Sequence, residues 1–152
     1  MKLAINRSAF LCGPIASTFE INGELIMKML ELIYLAVGAL VGVFLRYEIT
    51  KNALFLSGLP VSVLIINILG SFILGVTMAT VQQYGLDQRY VLLVGIGFCG
   101  SFTTMSTFAF ESANLLDAGR LLLGALDIIL NVGLSIFAIF LGRALVLALT
   151  MI

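Results

Sequence analysis

The chain has 152 residues, 61% of them hydrophobic and 11% charged, with eight basic and eight acidic side chains. Soluble domains carry about 25% charge, so this composition excludes a water-covered globule and makes the bilayer the solvent. With no net charge, no basic patch, no histidine and two separated cysteines, Cys12 and Cys99, the chain offers no basis for a nucleic-acid partner, a zinc cluster, a disulfide framework or a Ser/His/Asp triad.

Residues 1–28 differ from the rest. Lys2, Arg7, Glu20, Glu24 and Lys28 surround a short apolar stretch, Ala9–Ala16, broken by Gly13-Pro14 and too short to span. Glu20 and Glu24 follow, and no small-x-small cleavage pattern is present, so a signal peptide fits poorly. We read 1–28 as a poorly ordered, non-essential extension ahead of a membrane domain at 29–152.

Four apolar segments predict spanning helices over roughly 31–50, 61–82, 89–113 and 119–149. The stretch Val61–Val81 carries no charge and is roughly 32 Å long at the helical rise, enough to cross. Pro60 precedes the second helix, and Gly85-Leu86-Asp87 reads as a turn before the third. The fold class is therefore an all-α integral membrane protein with four transmembrane helices.

The first helix places Gly38, Gly42 and Arg46 four residues apart on one face. The glycines permit close helix approach, and Arg46 is expected to snorkel at the interface. In the second helix Asn67 is costly in hydrocarbon unless hydrogen-bonded. It serves either as an interhelical bond or as an uncharged donor to an anion. The fourth helix carries Asp127, Asn131 and Ser135 in one stripe, which is either a hydrated track or a helix seam.

The third helix holds the most unusual run, Gly100-Ser101-Phe102-Thr103-Thr104-Met105-Ser106-Thr107-Phe108. Glycine, serine and threonine in series make a weak helix, so a break is expected near 100–104. In hydrocarbon each freed backbone group needs a partner, and irregular backbone survives only in protein or beside a wet cavity. Unwound carbonyls can hold a small cation, and the following half-helix offers its positive end. Met105 and Phe108 lie three apart on that half-helix. Glu111 and Asp117 read as solvated loop-end carboxylates. Cys99 reads as a small packing residue.

Four spans put both termini and the 82–89 loop on one side. Counting Lys28, at the last position of the extension and next to the first span, that side carries Lys28, Arg89 and Arg143, and the other carries Arg46, Lys51 and Arg120. With the two sides tied, the positive-inside rule assigns no orientation. The tie fits either a compensated weak signal or a chain that inserts both ways and pairs antiparallel.

Together these pieces resemble the Fluc (CrcB) family of fluoride channels over about residues 29–150. The resemblance rests on Gly38-Ala39-x-x-Gly42-x-x-x-Arg46-Tyr47 and on Asn67-x-x-Gly70-Ser71-Phe72. Above all it rests on Gly97-Phe98-Cys99-Gly100-x-Phe102-Thr103-Thr104-x-Ser106-Thr107-Phe108. It implies a passive, fluoride-selective channel in the cell membrane, not an enzyme, built as an antiparallel dual-topology homodimer. It also implies a structural sodium ion held by the carbonyls of Gly100 and Thr103. The fluoride path would be lined by Asn67, by Met105 and Phe108 at the two positions of an aromatic box, by Ser106, and by Asn131 and Ser135.

Three departures stand out. Met105 replaces the first box phenylalanine and lacks a ring edge. Asp127 lies where a neutral polar residue is usual. An ionised carboxylate there would repel an anion, so it is neutralised by desolvation, pairs with a cation or faces a vestibule. Ser101 replaces a second glycine. These departures keep in view a partner-dependent subunit working with a paralogous chain. A proton-coupled multidrug or guanidinium transporter is the other rival, although Glu31 and Glu48 sit only at the ends of the first helix.

Overall fold

The computed structural model describes residues 14–52 and 54–151. Among them four helices are long and apolar enough to cross a membrane: Glu24–Thr50, Ser62–Tyr84, Gln88–Asp117 and Leu121–Thr150. The chain is a multi-pass membrane protein, as expected. The expectations for residues 1–13, Cys12 among them, lie outside the described residues.

Helix α1 runs Pro14–Thr50, so it begins well before the predicted position 31. By packing, the chain divides into two units, 1–33 and 34–152. The described part of the first is helix, with an exposed Glu24–Lys28 ion pair at 2.7 Å and exposed apolar side chains from Leu25 to Ile33.

The second unit holds the rest. After α1 come two short strands, β1 (Phe55–Leu56) and β2 (Leu59–Pro60), paired antiparallel. Ser57 at φ 53° and Gly58 at φ 88° close the hairpin, a pair of positive φ values that matches the twist of the strands. The polar connector between the first two spans thus has structure of its own. Helix α2 spans Ser62–Tyr84 and ends at Gly85, φ 61°. Asp87 then caps the next helix by accepting from the Arg89 N–H at 2.9 Å.

The third span is composite. It comprises α3 (Gln88–Tyr90), a π-helix (Val91–Cys99), α4 (Gly100–Phe102) and α5 (Met105–Asp117). It ends beyond the predicted 113. The Arg120 N–H donates to the Leu115 carbonyl, and the Gly119 N–H to that of Leu116. With Gly119 at φ 73° this is a Schellman ending. Helix α6 spans Leu121–Thr150.

Absent side chains set the packing. A Cβ on Gly38 would lie 1.9 Å from the Leu93 carbonyl oxygen, and one on Gly42 2.5 Å from that of Phe98. The Gly38/Gly42 face therefore presses on the π-helix, as the packing reading expected. Gly75 and Gly142 do the same between α2 and α6, each 2.4 Å from a facing carbonyl oxygen. On α6 the buried residues Gly124, Asp127, Asn131, Ala138, Gly142 and Val146 form one stripe, and the other faces stay apolar and exposed. Asp127 and Asn131 of the polar stripe are buried on this face, and Ser135 is half-buried.

Candidate functional site

The break falls on two residues within the predicted 100–104 window. Thr103 (φ −73°, ψ 156°) and Thr104 (φ −148°, ψ 113°) are extended between α4 and α5. In an unbroken helix the Thr104 N–H would donate to the Gly100 carbonyl and the Thr107 N–H to that of Thr103. Both donors are diverted. The Thr104 N–H donates to Asn67 Oδ1 at 2.9 Å. The Thr107 N–H donates to Thr104 Oγ1 at 3.2 Å, which makes Thr104 the N-cap of α5.

Asn67, brought from α2, stands in for a missing peptide. Besides accepting from the Thr104 N–H, its Nδ2 donates to the Thr104 carbonyl at 3.4 Å and to Asn131 Oδ1 at 3.0 Å. Both amide hydrogens are engaged. In this conformation Asn67 makes the interhelical bond. Gly70, one turn further on, makes room for the break, since a Cβ there would lie 2.4 Å from Thr103 Cγ2.

From Asn131 the network continues inward. Asn131 Nδ2 donates to Asp127 Oδ1 at 3.0 Å and to the Asp127 carbonyl at 3.2 Å. Ser112 Oγ donates to Asp127 Oδ2 at 2.6 Å. Asp127 is fully buried, at 0% exposure, so it does not face a vestibule. Its partners are an amide and a hydroxyl.

Beside the break lies a cavity of about 380 Å³, lined by Asn67, Gly70, Ser71, Gly100, Thr103, Thr104, Met105, Phe108, Asn131 and Ser135, among others. Five of the predicted pathway residues meet here: Asn67, Met105, Phe108, Asn131 and Ser135. Phe108 is buried, whereas Met105 is 71% exposed on the single chain. Ser135 Oγ is buried without a hydrogen-bond partner. Ser106 does not line the cavity. It sits about 100° round α5 from Met105, exposed, with its hydroxyl 3.3 Å from Thr104 Oγ1.

Arg46 does not simply snorkel. It is half-buried, with Nη1 3.5 Å from the Thr103 carbonyl oxygen. That contact is long for a hydrogen bond, so its effect is chiefly that of a positive charge near a freed carbonyl. A second cavity, about 240 Å³, is lined by Phe55, Glu111, Asn114, Arg120 and neighbours. Glu111 is not the solvated carboxylate expected, because its Oε2 is buried without a hydrogen-bond partner. Among the described residues no three His, Cys, Asp or Glu side chains are grouped to hold a metal ion.

Two residues of the site, Thr104 and Ser112, do not emerge from sequence reasoning. Thr104 had a legible signal, a threonine just before a helical run with a free N–H three residues on. Ser112 had none, because it meets Asp127 only through the α5–α6 packing.

Comparison with known proteins agrees with this architecture. The family model described as CrcB-like protein, Camphor Resistance (CrcB), matches residues 33–143. A Nitrosopumilus maritimus protein named fluoride-specific ion channel FluC is 52% identical over 119 residues, covering 78% of this chain and 94% of its own. Proteins of the same name from Shewanella halifaxensis (40% identical, 78% and 97% covered) and Methanocaldococcus jannaschii (38% identical, 78% and 95% covered) are also similar. Matched across its four spans and through the broken third helix, the chain belongs to the CrcB-like family.

Proposed function

We propose that the chain is a passive, fluoride-selective channel that lowers cytoplasmic fluoride. The carrying observation is the cavity beside the Thr103–Thr104 break, where Asn131, Ser135 and Phe108 converge in a chain whose relatives are named fluoride-specific channels. Hydrogen fluoride crosses hydrocarbon as a neutral acid and dissociates inside. The ion cannot return through lipid, and a membrane potential negative inside drives it out through a pore. Selectivity requires a lining that replaces the hydration shell. Ser135 Oγ, buried without a partner, is a donor available for that purpose. The positive edge of the Phe108 ring is a second favourable surface for an anion.

The finer reading is an antiparallel homodimer with dual topology, with a second copy as the partner. The charge tie supports it, as does the exposure of Met105 at the site while its neighbour Phe108 is buried. A structural sodium ion fits the donor set. The Gly100 and Thr103 carbonyls have lost their helical donors to Asn67 and to Thr104 Oγ1, and such oxygens suit a hard cation. When bound, the ion would add positive potential and lock the assembly. The transporter reading loses its candidate acid, because Asp127 is enclosed by Ser112 and Asn131 and does not line the cavity.

The test is fluoride efflux from liposomes holding the purified protein, followed with a fluoride electrode beside a chloride control. Rapid fluoride release with no chloride release is expected. A folded protein that releases neither ion would overturn the stand-alone channel and direct attention to a paralogous partner.

A further inference from the structure

Asp127 is the one fully buried carboxyl among the described residues, and the proposed permeation path does not use it. Its surroundings give it a task. The Thr104 N–H needs an acceptor, and in the Asn67 amide only the oxygen accepts, so Asn67 must present Oδ1 to it. Both Asn67 hydrogens then point away, one to the Thr104 carbonyl and one to position 131. Asn131 must therefore present Oδ1 to Asn67, which leaves its Nδ2 facing position 127. Position 127 accepts through two oxygens, a carboxyl oxygen at 3.0 Å and its own backbone carbonyl at 3.2 Å, and the carboxyl is the shorter contact. Every amide in the series has one allowed orientation, and the last group has to be an acceptor.

We propose that Asp127 is a positioning residue: its buried carboxyl is the acceptor end of a one-way hydrogen-bond relay through Asn131 and Asn67 that holds Thr104 in the extended, broken conformation. Ser112 completes the arrangement by donating to the second carboxyl oxygen at 2.6 Å. That length lies in the range of strong O–H···O bonds to a carboxyl. Neither oxygen is left to turn toward Asn131 as a donor. An asparagine at 127 would keep one acceptor, with its amide hydrogens turned to Ser112 Oγ. An alanine or leucine would keep only the backbone carbonyl at 3.2 Å, and Asn131 would lose the shorter of its two acceptors.

The relay rests on the fluoride-channel reading for its consequence but not for its mechanism. A competing account makes Asp127 a plain electrostatic barrier to an anion, and the two accounts predict opposite signs. The experiment compares the unmodified chain with Asp127→Ala and Asp127→Asn, each purified and checked for folding by size-exclusion chromatography. Two readouts are taken: hydrogen exchange of the Thr104 amide in micelles, and fluoride efflux from liposomes. In Asp127→Ala we expect Thr104 exchange to rise about tenfold or more, the scale of one or two lost hydrogen bonds, with efflux falling in step. Asp127→Asn should recover most of both. Unchanged Thr104 exchange in Asp127→Ala would overturn the relay, and so would efflux faster than the unmodified chain. An asparagine variant as impaired as alanine would also overturn it, by showing that charge rather than acceptance is needed. If Asp127→Ala does not fold, Asp127→Leu, closer in volume, takes its place under the same criteria. Exchange is measured without fluoride, so a failed relay is distinguishable from a failed channel assignment.

Discussion

Replacing Asn67 by leucine tests whether the break is held from outside the third span. The Asn67 amide makes bonds of 2.9 Å, 3.0 Å and 3.4 Å, to the Thr104 N–H, Asn131 Oδ1 and the Thr104 carbonyl. The first two have ordinary lengths and the third is long. Their partners are enclosed, Thr104 at 6% exposure and Asn131 at 3%. Leaving two such groups unpaired costs about 2–6 kcal/mol at 1–3 kcal/mol each. The upper end is not reached, for two reasons. Interhelical bonds in membranes average nearer 0.6 kcal/mol because the alternative state finds partners. Here one alternative is explicit, since the Thr104 N–H can return to the Gly100 carbonyl and close the helix. We expect about 2 kcal/mol of lost preference for the broken form, roughly thirtyfold in population, and a comparable fall in fluoride efflux. Asn67→Asp should fall at least as far, because a carboxylate accepts from Thr104 but cannot donate to its carbonyl or to Asn131. Efflux from liposomes and Thr104 amide exchange are the assays. Unmodified efflux and exchange in Asn67→Leu would refute the idea that Asn67 holds the break.

Gly142→Ala should destabilise the fold by about 1–3 kcal/mol or more, read as a lower melting temperature in detergent, because its Cβ would lie 2.4 Å from the Phe72 carbonyl oxygen. Gly133→Ala is the matched control, with nothing within 4 Å of its Cβ on the single chain. A neutral result is expected, and strong disruption would mark a surface that a partner covers. Met105→Phe places a second ring at the cavity and should raise fluoride efflux roughly fivefold, for a ring contact of about 1 kcal/mol. Equal rates would mean that methionine already suffices. Removal of residues 1–28 should leave efflux unchanged, since the family match starts at residue 33. Loss of folding would instead give the extension a structural task.

Four spans and a broken third helix were legible because each has a local cause. Long apolar runs force helices in hydrocarbon, and a Gly-Ser-Phe-Thr-Thr series weakens one at a known place. The close contacts at Gly38, Gly42 and Gly142 were legible in kind, since small residues at helical spacing have few other uses in a membrane. The helix limit at Asp117 is harder to read for a different reason. Glycine acts at helix ends as well as in breaks, and the distinction depends on which backbone groups remain unpaired. The π-helical winding of Val91–Cys99 has no marker in the sequence, although Gly97 gives it room against α1.

The relay itself could not be read from the chain, and the reason is physical. Asn67, Thr104, Ser112, Asp127 and Asn131 come from three spans, and only the Asp127/Asn131 pair has helical spacing. What could be read was the cost each would incur alone. A lone asparagine, a lone aspartate and a broken helix are each unfavourable in hydrocarbon. A 152-residue chain carrying all three is best explained if they offset one another. The structure joins them in that way: the break supplies an unpaired N–H, Asp127 supplies the final acceptor, and two asparagines connect them. Asp127, the residue that fits least well with an anion path, is therefore the acceptor on which the conformation of the break depends.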